Sequence, residues 1–233
     1  MIADKLAEVR ERIASACAAA GRPVQSVTLL VVTKTFGPAS VDEAFEAGAR
    51  SFGENYVQEG VAKMDALAAH REAIEWHLIG PVQGNKTRVV AERFDWVHSV
   101  DRVKIAGRLS AQRPGHLAPL SVCLQVNISG ESTKSGFAPA DVPAAARAVA
   151  ALPRLALRGL MAVPEPQGDF DMQRRPHRAL RELYESLRSQ GLALDTLSMG
   201  MSGDLEAAIA EGSTLVRVGT AIFGQRPAGA TDR

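Results

Sequence analysis

A lysine directly follows one of the most apolar runs of the chain, where a charged side chain is unexpected. Lys34 comes after Val27–Thr33, a run typical of a strand that is buried on both faces. A lysine with apolar neighbours can have a depressed pKa, and its neutral amine then forms an imine with a carbonyl group. The alternative is a structural lysine whose stem lies on apolar residues while its ammonium group reaches solvent. The residue alone is compatible with both.

Small and hydroxyl-bearing residues follow the last two predicted strands and favour an anion site. They are Gly200, Ser202 and Gly203 after one strand, and Gly219 after the other. In parallel α/β barrels, phosphate groups commonly bind in the loops after the seventh and eighth strands, on the N–H groups of a helix N-terminus. An ordinary helix with Ser202 as its N-cap is the alternative. Asp204 and Glu206 would repel an anion if their side chains pointed at it.

Three more polar residues lie within or just after predicted strands. Arg217 interrupts an apolar strand, so its burial requires either an ion pair or a ligand. His77 lies inside a strand and is either a hydrogen-bonded core residue or a site residue. Asn55 follows Glu54 at the end of another strand, and it either faces a ligand or caps the next helix.

The composition argues against several classes of protein. The chain has 233 residues, of which 46% are hydrophobic and 23% charged, with a net charge of +1. Such a chain has no broad positive field for nucleic acid or membranes, and no apolar run reaches the roughly 20 residues of a membrane span. The N-terminal segment has no uninterrupted apolar stretch and does not read as a signal peptide. Cys17 and Cys123 are expected to be thiols in a reducing compartment, so we expect a cytoplasmic protein.

Other kinds of catalytic site find little support. The five histidines have none of the spacings that bind a metal ion, and no nucleophile elbow is present. The segment Gly80–Lys86 superficially resembles a phosphate-binding loop, but its spacing is one residue short. We therefore predict no metal site and no nucleotide loop.

The elements that must position these residues alternate regularly along the chain. Strands are predicted at Val27–Thr33, Ala49–Phe52, Glu75–Ile79, Asp95–Ser99, Leu120–Asn127, Leu157–Val163, Thr196–Met199 and Leu215–Val218. Helices are predicted at Ser40–Gly48, Tyr56–His70, Asn85–Arg93, Arg102–Gln112, Ala140–Leu152, Gln173–Gln190 and Gly203–Glu211.

Strand-then-helix alternation predicts parallel strands joined by crossover helices. Eight such units indicate a single (β/α)8 TIM barrel, an α/β fold, with an extra amphipathic helix at the N-terminus. An open doubly wound sheet is the alternative. We predict one domain over residues 1–233, with a frayed tail at about 226–233.

Seven blocks of sequence, in order, are similar to one known family. They lie at Val31–Thr35, Phe52–Glu59, Trp76–Arg88, His98–Arg102, Asn127–Phe137, Leu157–Val163 and Leu197–Gly224. Together they resemble the YggS/PROSC family, the pyridoxal phosphate homeostasis proteins. Two departures from the family pattern are Leu78, where an aromatic residue is frequent, and Gly84, where serine is frequent.

The resemblance implies a fold-type III barrel, which alanine racemases also use, with pyridoxal 5'-phosphate (PLP) as the cofactor. It implies an internal aldimine on Lys34 and Arg217 opposite the pyridine nitrogen. It also implies phosphate contacts from Ser198, Ser202, Gly219 and Thr220, and it places Asn55 and His77 near the ring.

We expect a protein that holds, buffers or delivers PLP rather than an enzyme with robust turnover. An arginine can only donate to the ring nitrogen, which weakens the ring as an electron sink. The chain also has no predicted second domain to supply a second acid or base. A PLP-dependent amino-acid racemase or decarboxylase is one alternative, and a Schiff-base aldolase without a cofactor is another. We further expect a monomer, with PLP-requiring apoenzymes as partners.

Overall fold

The protein is a closed barrel of eight parallel strands, each joined to the next by a connection that carries a helix. The computed structural model describes residues 1–131 and 134–224. The strands are β1 Thr28–Val32, β2 Ser51–Glu54, β3 Glu75–Leu78, β4 Trp96–Val100, β5 Leu120–Gln125, β6 Leu155–Met161, β7 Thr196–Ser198 and β8 Leu215–Val218. They pair in chain order, and β1 closes the sheet against β8. The predicted (β/α)8 barrel is thereby confirmed.

The helices surround this sheet and cover its apolar outer face. They are α1 Ile2–Ala19, α2 Pro38–Glu46, α3 Val57–Ala66, α4 Thr87–Arg93, α5 Val103–Gln112, α6 Val142–Ala150, α7 Phe170–Ser189, α8 Leu205–Ala210 and α9 Thr220–Phe223. The strands are largely buried because helices cover one face and the barrel interior covers the other. None of the helices in these described ranges is both long enough and apolar enough to cross a lipid bilayer.

The predicted N-terminal helix is present as α1 and packs against α2, α8 and α9. Leu6, Val9 and Ile13 recur at helical spacing on its buried face. Because α8 and α9 follow β7 and β8, α1 supports the part of the barrel where the anion site is predicted.

Helix boundaries differ from the sequence prediction at specific capping residues. The helix predicted from Gln173 begins earlier, at Phe170, because the side chain of Asp169 accepts hydrogen bonds from two backbone N–H groups of the first turn. The helix predicted from Gly203 begins at Leu205, and Asp204 rather than Ser202 occupies its N-cap position. The segment 56–70 is divided into α3 and a short 3-10 turn at Ala68–His70. The tail predicted to fray, at about 226–233, lies outside the described residues.

Candidate functional site

A cavity of about 300 Å³ lies at the carboxyl ends of the strands, where the sequence predicts the site. Five predicted site residues line it together: Lys34, Ser202, Arg217, Gly219 and Thr220. Its walls also include the apolar side chains of Val32, Ile79 and Met201. The fold thus brings an amine, a guanidinium group and a loop of small residues to one apolar cleft.

The backbone around Lys34 has an unusual conformation. Thr35 has φ +69°, in the left-handed region that a β-branched residue rarely adopts. Its N–H donates to Glu59 Oε1 at 2.6 Å, and the N–H of Phe36 donates to the oxygen of Thr33 at 3.1 Å. Strained residues persist where neighbouring contacts hold them, and they concentrate at functional sites. This turn fixes the direction in which Lys34 leaves β1.

A buried cluster behind the Lys34 turn, the Lys63 cluster, consists of Lys63, Glu54, Glu59 and Thr33. Lys63 is only 2% exposed, and its Nζ donates to Thr33 O at 2.7 Å, Glu54 Oε1 at 2.7 Å and Glu59 Oε1 at 2.6 Å. The hydroxyl of Thr33 also donates to Glu54. All three Lys63 protons are therefore used, as a buried ammonium group requires.

Sequence reasoning did not identify Lys63, although one signal was available. Glu59 and Lys63 are four residues apart on a helix, the spacing of an intrahelical ion pair. Glu54, the last residue of β2, lies fully buried in this cluster.

The carboxyl group of Glu54 titrates near neutral pH. Burial raises its pKa to about 7, although Lys63 and the Thr33 hydroxyl oppose this effect. Its second oxygen, Oε2, has no hydrogen-bond partner within the described part of the chain. A proton on that oxygen removes the negative charge that burial disfavours.

The loop between β7 and α8 is held in place by Asp204. One carboxylate oxygen accepts the N–H of Met201 at 2.6 Å, and the other lies 2.9 Å from His177 Nε2. Burial raises the pKa of Asp204, but the His177 contact and the Met201 N–H outweigh it and lower the pKa overall. The carboxylate that could repel an anion is thus engaged with these two partners.

Glu206, the second acidic residue of this segment, pairs with the N-terminal helix. It accepts from Arg12 Nε at 2.9 Å, and Arg12 Nη2 also donates to the backbone oxygen of Ser202 at 3.1 Å. Arg12 thereby holds both the Glu206 carboxylate and the loop between β7 and α8. The N–H groups of Ser202 and Gly203 meet no protein acceptor in residues 1–131 and 134–224, and they remain available for an anion.

Gly219 has a steric reason to be glycine. A Cβ atom at this position would lie 2.8 Å from the backbone oxygen of Val32, closer than real side chains approach. The glycine therefore lets β8 and the end of β1 come together beside Lys34. Thr220 follows as the first residue of α9, so its N–H has no acceptor within the helix.

Arg217 is buried without a carboxylate partner. It is 4% exposed; Nη1 donates to Ser198 O at 2.6 Å and Oγ at 2.7 Å, and Nη2 donates to Ala162 O at 2.9 Å. Burial lowers its pKa to about 10, so the group stays protonated at neutral pH. Its acceptors are neutral, and no carboxylate of the described chain is within ion-pair distance. A buried cation on a cavity wall favours a ligand with an acceptor atom.

Three predicted site residues do not line this cavity. Ser198 and His77 are buried inside the barrel, where Ser198 contacts Arg217. Asn55 lines a neighbouring cavity of about 300 Å³, and Ile79 lies on the walls of both cavities. These three residues can act through their neighbours, and their predicted contact with a cofactor stays a prediction.

One surface group resembles a metal site in composition. Ligand atoms of Asp42, Glu46 and His70 lie within 4.8 Å of one another, on α2 and the turn after α3. Histidine spacing in the sequence did not indicate this group, because two distant segments form it. None of the three residues lines the cavity, and exposed acidic groups commonly gather without an ion.

Comparison with known proteins connects this site to one family. A family model described as "Alanine racemase, N-terminal domain" matches residues 5–227. A protein named pyridoxal phosphate homeostasis protein from Pseudomonas aeruginosa is 58% identical, covering 98% of this chain and 97% of that protein. The protein of the same name from Escherichia coli is 51% identical, with 97% of each chain covered.

A solved structure gives the same result at the level of the fold. PipY from Synechococcus elongatus, determined with PLP bound, is 36% identical and has a TM-score of 0.84. The match covers 96% of this chain and 100% of that one. The chain therefore belongs to the alanine racemase N-terminal domain family and, within it, to the pyridoxal phosphate homeostasis proteins.

Proposed function

We propose that this protein binds PLP through Lys34 and takes part in vitamin B6 homeostasis by holding and releasing the cofactor. One observation carries the proposal: a single cavity of about 300 Å³ is lined by Lys34, Arg217 and the loops after β7 and β8. PLP has an aldehyde, a ring nitrogen and a phosphate group, and this cavity offers a partner for each. When bound, PLP supplies an aldehyde that condenses with amines and a ring that withdraws electron density.

The residues of the cavity fit such a molecule by their chemistry. Lys34 supplies an amine next to apolar walls, where an aldehyde can be attached covalently. Ser202 and Thr220 supply hydroxyl groups, and Gly203 and Ser202 supply N–H groups for a phosphate. Gly219 has no side chain, so its backbone can lie close to the backbone oxygen of Val32.

The carrier role is favoured over catalysis by the state of Arg217. It remains protonated and can only donate, so a ring nitrogen placed against it would have to be an unprotonated acceptor. An unprotonated ring is a weak electron sink, which disfavours removal of a proton from an amino acid. The relatives that match nearly the full chain carry a homeostasis name. An amino-acid racemase, a decarboxylase and a cofactor-free aldolase are not favoured by these matches.

The proposed role extends to partners and location. We propose delivery of PLP to apoenzymes that require it, a monomer in solution and a cytoplasmic location. Both Cys17 and Cys123 are buried and unpaired in the structure, which suits a reducing compartment. A solution mass measurement tests the monomer.

The function is tested by loading and release. The protein is incubated with PLP, freed from excess by gel filtration, and mixed with an apo-aminotransferase whose activity reports delivery. We expect activity to return as the protein's own absorbance band decreases. The same sample, kept with amino acids in deuterium oxide, should exchange α-protons no faster than PLP alone. Exchange well above that rate, lost in Lys34→Ala, would establish an enzyme instead.

A further inference from the structure

A line of hydrogen bonds runs through the barrel interior from Arg217 towards the opposite end of the barrel. Arg217 Nη1 donates to Ser198 Oγ at 2.7 Å, and Ser198 Oγ lies 2.8 Å from His98 Nδ1. His98 Nε2 then lies 2.9 Å from His77 Nδ1. Strands β4 and β7 are not neighbours in the sheet, so the contact between His98 and Ser198 crosses the interior.

The far end of this line is Glu75, at the start of β3. His77 Nε2 lies 3.4 Å from Glu75 Oε2, a contact too poorly aligned to count as a hydrogen bond. The other Glu75 oxygen accepts from Trp96 Nε1 at 3.1 Å, and Trp96 stacks on His77 with 5.3 Å between ring centroids. Lys34 lies at the carboxyl end of the barrel and Glu75 at the amino end, so the line spans the barrel.

The residues at the two ends of this line determine which atom carries each proton between them. Arg217 is only a donor and ionised Glu75 only an acceptor. Ser198 Oγ accepts from Arg217, so its own proton is available for His98 Nδ1. His98, with Nδ1 as acceptor, carries its proton on Nε2 and donates it to His77 Nδ1. His77 then carries its proton on Nε2, facing Glu75.

This assignment requires both histidines to be neutral, and the surroundings of His98 favour that state. It is fully buried, and burial, His77 and Arg217 all lower its pKa well below the ordinary value. The reverse assignment would point His98 Nδ1–H at Ser198. The serine proton would then have no acceptor among the described residues, which a buried hydroxyl avoids.

We propose that Ser198, His98 and His77 are positioning residues that hold Arg217 at the cavity wall through this one-directional donor chain, with Glu75 fixing its direction. Without the chain Arg217 keeps its two carbonyl contacts, but Nη1 loses one of its two acceptors, Ser198 Oγ. The proposal rests on the proposed function only for its effect on PLP binding.

The direction is tested without cofactor by nitrogen-15 NMR of histidine-labelled protein at pH 7.5. We expect His98 and His77 both to be neutral, with the proton on Nε2 and an unprotonated Nδ1. His77→Asn identifies the His77 signals by their loss. A proton on His98 Nδ1, or a charged His98, would overturn the proposal whether or not the protein binds PLP.

The positioning role is tested by PLP affinity. Ser198→Ala and His77→Leu each leave a buried group unpaired, and we expect the dissociation constant to rise about tenfold. His77→Asn keeps an acceptor for His98 and should stay within about twofold of the unsubstituted protein. Ser198→Ala removes one atom and is the variant expected to fold in any case; thermal unfolding checks the others.

Two variants at exposed carboxylates, Glu75→Gln and its control Glu72→Gln, complete the test. Glu75→Gln removes the charge at the end of the chain and should weaken PLP binding about threefold, whereas exposed Glu72→Gln nearby should change nothing. If the unsubstituted protein binds PLP and Ser198→Ala and His77→Leu bind it equally well, the positioning role is wrong while the function stands. If the unsubstituted protein binds no PLP, the proposed function is wrong. The NMR result alone then tests the direction of the hydrogen-bond chain.

Discussion

Lys63 Nζ donates a 2.7 Å hydrogen bond to the backbone oxygen of Thr33, the residue immediately before Lys34. Lys63 does not line the cavity, yet it holds the peptide from which Lys34 extends. Glu59, which shares Lys63 Nζ, also accepts the N–H of Thr35 on the other side of Lys34. The Lys63 cluster therefore fixes the backbone on both sides of the proposed cofactor lysine.

Removing Lys63 should destabilise the fold in a pH-dependent way. In Lys63→Met, Glu54 loses its buried counter-ion, and we expect the free energy of unfolding at pH 8 to fall by about 3 kcal/mol. At pH 5 the loss should be smaller because Glu54 can take up a proton. Urea denaturation at the two pH values measures both. Exposed Lys104→Met is the control, and an equal loss in that variant would contradict the prediction.

Glu54 should give the protein a specific pH dependence of stability. Its pKa is about 7 when folded, against an ordinary 4.5, so between these values only the folded state keeps the proton. The free energy of unfolding should therefore fall as pH rises from 4.5 to 7 and level off above 7. Relative to Glu54→Gln, which stays neutral, the fall is on the order of 3 kcal/mol.

Denaturation of both proteins at several pH values measures this difference. Glu72→Gln, an exposed carboxylate, should follow the unsubstituted protein throughout. A constant difference between unsubstituted protein and Glu54→Gln across the range would mean that the fold does not raise the pKa of Glu54.

Two glycines in the loop after β3 should respond oppositely to alanine. A Cβ at Gly80 would lie 2.1 Å from the backbone oxygen of Asn55, whereas a Cβ at Gly84 would meet nothing within 4 Å. We expect Gly80→Ala to lower the free energy of unfolding by about 1–3 kcal/mol or more, because backbone must move. Gly84→Ala should be near neutral. Thermal unfolding of the two variants tests this prediction. Equal melting temperatures would contradict the close contact between Gly80 and Asn55.

Asp204 should matter for anion binding although it is itself negative. Its carboxylate holds the Met201 N–H and His177, so it shapes the loop that offers N–H groups. Asp204→Ala should weaken PLP binding about tenfold, because the Met201 N–H and His177 lose their common partner and the loop loses its order. Asp171→Asn, which changes an exposed acid on α7, is the control. Tighter PLP binding in Asp204→Ala would mean that repulsion between the Asp204 carboxylate and the phosphate matters more than the order that Asp204 gives to the loop.

The sequence predicts the barrel well because each strand carries its own signal. Continuous β-branched runs separated by helical stretches can only be parallel strands with crossovers, and Lys34 and Arg217 are conspicuous because each is a charge next to an apolar strand. Helix starts were less predictable. Asp169 and Asp204 lie at the starts of α7 and α8, and competing residues nearby, such as Ser202, are equally good caps.

The connections behind the site could not be predicted from spacing. Lys63 contacts Thr33 across 30 positions, and His98 contacts Ser198 across 100. Only the register of the strands brings such pairs together. His98 lies within the predicted strand Asp95–Ser99, and its spacing indicates no partner, because the sequence cannot tell which side chains meet inside a barrel.

The central claim is tested most directly by locating the covalent link. The protein is incubated with PLP, reduced with borohydride, digested and analysed by mass spectrometry, alongside Lys34→Ala and, as a control, Lys104→Ala. We predict the phosphopyridoxyl group on Lys34, its retention in Lys104→Ala and its loss in Lys34→Ala together with the yellow colour. A colourless protein, or a label spread over surface lysines and unchanged in Lys34→Ala, would contradict the assignment.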